Sequence, residues 1–105
     1  MVAAAGNSNA DARNYCPANA KGVICVTAIN DHKQLADFAN DVSNIEMAVA
    51  APGTKIYSTM PNDSYEAHTG TSMSAPFVSG LIGLMMYYKP DLTTKEVYNL
   101  SLIHI

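Results

Sequence analysis

Gly70-Thr71-Ser72-Met73-Ser74-Ala75-Pro76 stands where the sequence changes character. Upstream lie short apolar runs separated by turn residues. From Ser72 to Tyr88, the apolar residues Val78, Leu81, Ile82, Leu84, Met85 and Met86 come at helical spacing and beyond it. Small residues (Ser74, Ala75, Ser79, Gly80, Gly83) take other positions, which predicts a helix apolar on most sides and buried. Pro76 is expected in its first turn, where a missing N–H does no harm. The segment thus sets a serine at the mouth of a buried helix, facing free N–H groups and the positive end of the macrodipole. Negative charge developing beside that hydroxyl would meet backbone donors, which suits attack on a carbonyl. The same residues also read as a plain serine N-cap, and taken alone the segment favours that plainer reading.

Working upstream, Val2 to Ala5 is apolar and ends in Gly6-Asn7-Ser8-Asn9, a buried strand entering a turn. Asn7 to Lys21 is polar, with Pro17 and then Gly22, and reads as a loop. Val23 to Ile29 is β-branched and apolar, a second strand. Met47 to Ala51 is a third, closed by Pro52-Gly53, and Lys55 to Thr59 a fourth before the turn Pro61-Asn62-Asp63-Ser64. Downstream, Lys89-Pro90-Asp91 ends the long helix. Thr93 with Glu96 forms a capping box that starts another helix through about Leu100. Continuous apolar strands of this kind predict an α/β fold with a parallel sheet covered on both faces.

The 105 residues suit one small domain or a piece of a larger one. Apolar residues make up 49%, charged residues 14%, and the net charge is −3, as in a globular interior. No basic run or arginine stripe occurs, which argues against nucleic acid and anionic membranes as partners. The longest apolar stretch, Phe77 to Tyr88, is too short for a membrane span. Met1 to Gly6 has no basic region ahead of its apolar residues, so no signal peptide is read there. Cys16 and Cys25 are too few for a disulfide framework, and their spacing suits neither a zinc ribbon nor a redox C-x-x-C pair. Cys25, within Val23-Ile24-Cys25-Val26, reads as a small buried hydrophobe. A Cys16–Cys25 bridge is the less favoured alternative.

The Gly70–Pro76 segment resembles the nucleophile motif G-T-S-M-[AS]-x-P of the subtilisin-like serine proteases, residue for residue. Ala4-Ala5-Gly6-Asn7 resembles that family's A-A-G-N. Val23-Ile24-Cys25-Val26-Thr27-Ala28 is similar to its strand V-I-x-V-x-A, and Ala51-Pro52-Gly53 to its A-P-G turn. Order and spacing agree from about Val2 to Leu100. The resemblance implies the C-terminal part of a three-layer subtilisin-like domain over residues 1–101, followed by a tail, 102–105, of unknown role. It also implies a serine endopeptidase acting on polypeptides, with Ser72 as nucleophile forming the acyl-enzyme. The Ser72 N–H and the Asn7 side-chain amide would bind the oxyanion. Ala4, Ala5 and Gly6 would wall the primary specificity pocket and Tyr15 would set its depth, making it shallow. Cys16-Pro17 falls where the family often has a cis peptide. Met73 would border the oxyanion site, although core filling is its plainer role. A secretory route is favoured by the resemblance alone, with mild support from the sequons Asn62-Asp63-Ser64 and Asn99-Leu100-Ser101.

A serine nucleophile needs a base, normally His, oriented by a carboxylate. The family carries these on D-[ST]-G and H-G-T segments ahead of A-A-G-N, and neither segment occurs in these 105 residues. The missing N-terminal part of the domain is therefore an expected partner, and the chain alone is expected to be inactive. His68, four residues before Ser72, reads as a cleft or solvated residue rather than the base. His32 falls in an exposed turn and His104 in the tail. Asp37, Asp41, Glu46, Asp63 and Glu66 form no catalytic pair and read as surface charges. No cofactor is expected. Some family members hold structural calcium, but the acidic residue of one such site is replaced around Ala48, so no metal is expected there. Sedolisins also place G-T-S before a helix but need Asp where Asn7 stands, and a lipase-type hydrolase needs G-x-S-x-G, which Ser74 breaks. A non-catalytic relic or interaction module of the same fold is the alternative from another class.

Overall fold

The computed structural model describes the backbone of residues 1–104 and the side chains of residues 1–102. A three-stranded parallel sheet is its centre, in the order β1 (Val2–Ala4), β2 (Ile24–Ile29), β3 (Ala48–Pro52). Val2 pairs with Ile24 and Ala4 with Val26, while Cys25 pairs with Ala48 and Ile29 with Pro52. Next come β4 (Ile56–Met60), β5 (Ser64–His68), α1 (Thr71–Tyr88) and α2 (Thr94–His104). Both crossovers between parallel strands run through loops. The first carries a single 3-10 turn, Ala12–Asn14, capped by the Asp11 carboxylate, which accepts from the Arg13 N–H at 2.9 Å.

Residues of β2 alternate between two cores, as the pleat requires. Ile24 and Val26 face the helices, packing with Val49, Ala51, Val78 of α1 and Val97 of α2. Cys25 turns to the opposite face with Ala3, Ala5, Ala12, Ala18 and Val23, where loops form the cover. The parallel sheet is thus covered on both faces, by helices on one side and by largely alanine-rich loops on the other. Cys16 and Cys25 are both free thiols, Cys16 exposed and Cys25 wholly buried, so the bridge is not formed.

The loop face depends on a residue that the sequence reading passed over. Asn40 is fully buried, and all of its polar atoms have partners. Its Nδ2 donates to the Ala5 carbonyl at 2.8 Å, and its Oδ1 accepts from the N–H groups of Ser8 and Ala10 at 3.0 Å each. Its main chain donates to the Gly6 carbonyl and accepts from the buried Thr27 hydroxyl. Gly6 has φ +105, and a Cβ there would collide with the Asn40 amide, so glycine is required on both counts. Asn40 therefore shapes the turn that leaves β1.

Three further features differ from expectation. The long helix starts at Thr71, which puts Pro76 in its second turn and denies the Ser72 carbonyl its usual i+4 donor. The helix is also not buried all round. Thr71, Ser74 and Val78 are buried, whereas Phe77, Leu84, Met86, Tyr87 and Tyr88 are exposed. Its 18 residues run about 27 Å, and three short strands cover only one side of it. β5 has no counterpart among the strands expected from the sequence. Its five residues are all exposed, and although Tyr65 and Ala67 alternate with polar neighbours, the run is too short to identify a strand by itself. It forms because Asn62 and Asp63 both take positive φ and fold the chain back onto β4, with Met60 opposite Ser64. The Thr93–Glu96 capping box is present, with Glu96 N–H donating to Thr93 Oγ1 and Glu96 Oε1 accepting from the Thr93 N–H and hydroxyl. α2 runs past Leu100 to His104, while Ile105 and the His104 side chain lie outside the described residues.

Burial raises the Cys25 thiol from 9.0 to about 11. Its folded pKa exceeds its unfolded one, so the native state holds the proton longer. Stability is untouched below about pH 9 and falls as pH rises through 9 to 11, by up to about 3 kcal/mol. Urea unfolding midpoints from pH 8 to 11 should show this loss in the wild type and a smaller one in Cys25→Ala. Iodoacetamide should modify Cys16 and spare Cys25 until the chain unfolds. Asn40→Ala should lower unfolding free energy by about 2–4 kcal/mol, because it strands buried groups of the β1 turn.

Candidate active site

Three segments meet at the N-terminus of α1. Thr71, the first helical residue, is buried and makes the central contacts. Its N–H donates to Asn7 Oδ1 at 2.9 Å, and its hydroxyl donates to the same oxygen at 2.9 Å. The hydroxyl oxygen in turn accepts from the Gly6 N–H at 3.0 Å. On the other side, the Gly70 N–H donates to the Gly53 carbonyl at 2.8 Å, and the Gly53 N–H to the Ile29 carbonyl at 3.0 Å. Ser74, one turn along and fully buried, donates its hydroxyl to the Ala51 carbonyl at 3.0 Å. A Cβ on Gly53 would run into the Ser74 hydroxyl and lie 2.5 Å from Ala28 Cβ and 2.9 Å from the Gly70 carbonyl oxygen. The turn after β3 can approach the helix this closely only with glycine there.

Ser72 follows Thr71 and is exposed, as is Asn7. Thr71 and Met73, its neighbours, are spent on Asn7 Oδ1 and on the Gly70 carbonyl at 3.0 Å respectively. The Ser72 N–H is left without an intrahelical acceptor, as second-position amides are. Because Oδ1 of Asn7 is committed to Thr71, its Nδ2 is the end left for other work. Nδ2 lies at the helix mouth, 3.3 Å from where a Gly70 Cβ would be. An exposed hydroxyl, a free backbone N–H and a side-chain amide therefore share the N-terminal end of one helix, where the macrodipole favours negative charge.

The other residues singled out from sequence fall as follows. Ala4 ends β1, and Ala5 is fully buried, donating its N–H to the Val26 carbonyl at 2.9 Å. Tyr15 is half-buried with its ring edge beside Gly6, 3.8 Å from a Cβ built there. The Ala4–Gly6 segment and Tyr15 are thus brought together. The Cys16-Pro17 peptide is cis. Met73 is half-buried. His68 does not turn to Ser72. It is exposed on β5 and paired with Glu66 at 3.1 Å. His32 is exposed in its turn, 3.7 Å from Asp31. Asp37, Asp41, Glu46, Asp63 and Glu66 are all exposed. Among the described residues no group of three His, Cys, Asp or Glu could hold a metal ion, and no helix is long and apolar enough to cross a membrane. Thr71 and Asn40 are structural supports of this region that the sequence does not single out. Thr71 was quoted only as part of a motif, and a lone Asn in Phe38-Ala39-Asn40 gives no sign of burial.

The chain is 37% identical over 102 residues to Subtilisin DY of Bacillus licheniformis, which covers 94% of this chain and 36% of that protein. It is 44% identical over 87 residues to Proteinase R of Parengyodontium album, covering 82% and 22%. The crystal structure of a cold adapted subtilisin-like serine proteinase superposes with a TM-score of 0.84 at 33% identity, over 92% of this chain and 35% of that one. The chain spans about a third or less of the length of these relatives. The family model described as the Subtilase family matches residues 1–103, nearly the whole sequence. With the parallel sheet, the helix-mouth serine and these relatives in agreement, the chain belongs to the subtilase family of serine proteases and has its α/β fold.

Proposed function

We propose that this chain is the nucleophile-bearing portion of a serine endopeptidase, with Ser72 as the residue acylated by a polypeptide substrate. The observation that carries the proposal is the pairing of an exposed Ser72 with an Asn7 whose carboxamide oxygen is held by Thr71, so that its NH₂ is left to donate. In the reaction, Ser72 Oγ attacks the scissile carbonyl carbon while its proton passes to a histidine base. The carbonyl oxygen takes up the negative charge and receives hydrogen bonds from the Ser72 N–H and Asn7 Nδ2. Collapse expels the amine and leaves the acyl-enzyme, which water then cleaves. Ala4, Gly6 and Tyr15 wall the acyl-side pocket, and the half-buried Tyr15 ring beside Gly6 makes it shallow; Ala5, fully buried with its N–H on Val26 and its carbonyl on Asn40, backs that wall without reaching substrate.

The base and its carboxylate come from the N-terminal part of the domain, which is the partner this portion requires. His68 is already engaged by Glu66, and serves as a cleft residue. Family names of the relatives, Subtilisin DY and Proteinase R among them, support the protease reading. No metal or cofactor enters the chemistry proposed for these residues.

In the complete protein, a fluorophosphonate probe should label Ser72 and fail on Ser72→Ala, with hydrolysis falling by several orders of magnitude. The 105-residue chain by itself should not label. Absence of labelling in a complete protein that contains the upstream acid and base segments would leave the non-catalytic module as the better reading. Asn7→Asp keeps the acceptor that Thr71 uses but exchanges the donor for a charged oxygen. It should lower kcat by at least about 10²–10³-fold with little change in KM. For comparison, the loss of one such donor, a value measured on a subtilisin itself, is about 2.7–4 kcal/mol. Peroxide should lower kcat by adding a polar oxygen at Met73, and Met73→Ala should resist it. Equal sensitivity of the two forms would remove Met73 from the site.

A further inference from the structure

Asn7 is exposed and is followed by Ser8, a small residue that is exposed as well. An asparagine in that setting is open to attack on its own carboxamide carbon by the backbone nitrogen of the next residue. The Ser8 nitrogen would form a bond to Asn7 Cγ and give up its proton. The Cγ–Nδ2 bond would break, and ammonia would leave with that proton. The five-membered succinimide left behind takes up water and opens to aspartate or isoaspartate. Nothing is oxidised or reduced, and water is the only co-reactant. Either product replaces the Nδ2 donor of Asn7 with a carboxylate.

In the folded chain both partners of this reaction are held. The Ser8 N–H donates to Asn40 Oδ1 at 3.0 Å, and the same oxygen accepts the Ala10 N–H at 3.0 Å. Asn40 is fully buried, and its Nδ2 is anchored on the Ala5 carbonyl at 2.8 Å, so the acceptor cannot swing away. Its main-chain N–H donates to the Gly6 carbonyl at 3.0 Å, which pins the chain on the other side of Asn7. The Ser8 nitrogen can attack only after shedding its proton, and a fixed acceptor on that N–H disfavours the loss. The Asn7 carboxamide is held in turn by the Thr71 N–H and hydroxyl, each at 2.9 Å from Oδ1. These two donors orient the carboxamide, but they also draw electrons from its carbon. The hold on Ser8 is therefore the decisive one. Ring closure requires the turn to open first.

We propose that Asn40 is a positioning residue that keeps the Asn7 amide chemically intact, suppressing deamidation by holding the Ser8 N–H for as long as the chain is folded. The consequence for catalysis rests on the protease reading of Ser72 and Asn7. The lock itself does not, and it is read without measuring activity.

The test incubates the complete protein at mildly alkaline pH, folded and in concentrated urea. Conversion of Asn7 to aspartate or isoaspartate is followed by peptide mass spectrometry. In the folded wild type Asn7 should convert at least about tenfold more slowly than in the unfolded chain. Asn40→Ala, with its fold checked by near-ultraviolet circular dichroism, should raise the folded rate at Asn7 at least about tenfold. Asn62, exposed in the turn between β4 and β5, should convert at one rate in both folded proteins. An unchanged rate at Asn7 overturns the role of Asn40, and so does an equal rise at Asn62, which would mean general loosening. Ser8→Gly covers the case in which Asn40→Ala does not fold. Glycine removes the side chain that hinders attack and keeps the N–H. The unfolded variant should therefore convert faster than the unfolded wild type, while the folded variant stays slow. Rapid conversion of Asn7 in folded Ser8→Gly overturns the lock. Normal fluorophosphonate labelling of Ser72 would then leave the protease reading standing, whereas failure of labelling in fresh wild type removes that reading without touching the lock.

Discussion

The arrangement turns on one oxygen. Asn7 Oδ1 accepts both the N–H and the hydroxyl of Thr71, and the Thr71 oxygen accepts the Gly6 N–H in turn. This short network fastens the end of β1 to the first turn of α1, two segments more than sixty residues apart in sequence. It caps the helix in the absence of any capping side chain on Gly70. It also fixes which end of the Asn7 amide faces away from Thr71. Because Thr71 is consumed inward, Ser72, one position on, must look outward. Thr71 is buried, so losing its partners would leave polar groups unsatisfied at the helix start.

Support for that network comes from both sides of the sheet. Behind Gly6, the buried Asn40 amide holds the turn leaving β1 through three backbone partners. Behind Gly70, the Gly53 turn and the Ser74 hydroxyl fix the helix against the end of β3. Glycine and alanine dominate these contacts because backbones must come within reach of each other. The loop-side core is correspondingly alanine-rich and coheres by close approach, whereas the helix-side core is built of Ile24, Val26, Val49, Val78 and Val97.

The same economy leaves surfaces open. α1 is longer than the sheet it covers, and its exposed Leu84, Met86, Tyr87 and Tyr88 have no cover among the described residues. β1 and β3 are both edges of a three-stranded sheet. A parallel sheet with two open edges and a bare helix face is an unusual object in isolation, since parallel strands are normally enclosed. It is consistent with a chain that spans about a third of the length of its relatives. Near Ser72 the described residues supply donors for an anion but no free histidine, since His68 is bound to Glu66.

The sequence by itself determined the strands, the long helix and its serine. Val23–Ile29 and Ser72–Tyr88 carry apolar patterns that only a buried strand and a packed helix satisfy, and four ordered motifs identified the family. The Thr93–Glu96 cap was equally legible, because its three bonds are made within four residues. Tertiary structure alone decided the rest. β5 exists because a turn returns it to β4, and the brief alternation of Tyr65 and Ala67 buries nothing that would mark it as a strand. Asn40 looks like any surface asparagine until the chain folds around it. The exposure of one flank of α1 follows from how few strands lie beneath it, which no periodicity can reveal. Local patterns encode what a segment prefers, whereas burial, pairing and the direction of an amide are set by neighbours distant in sequence.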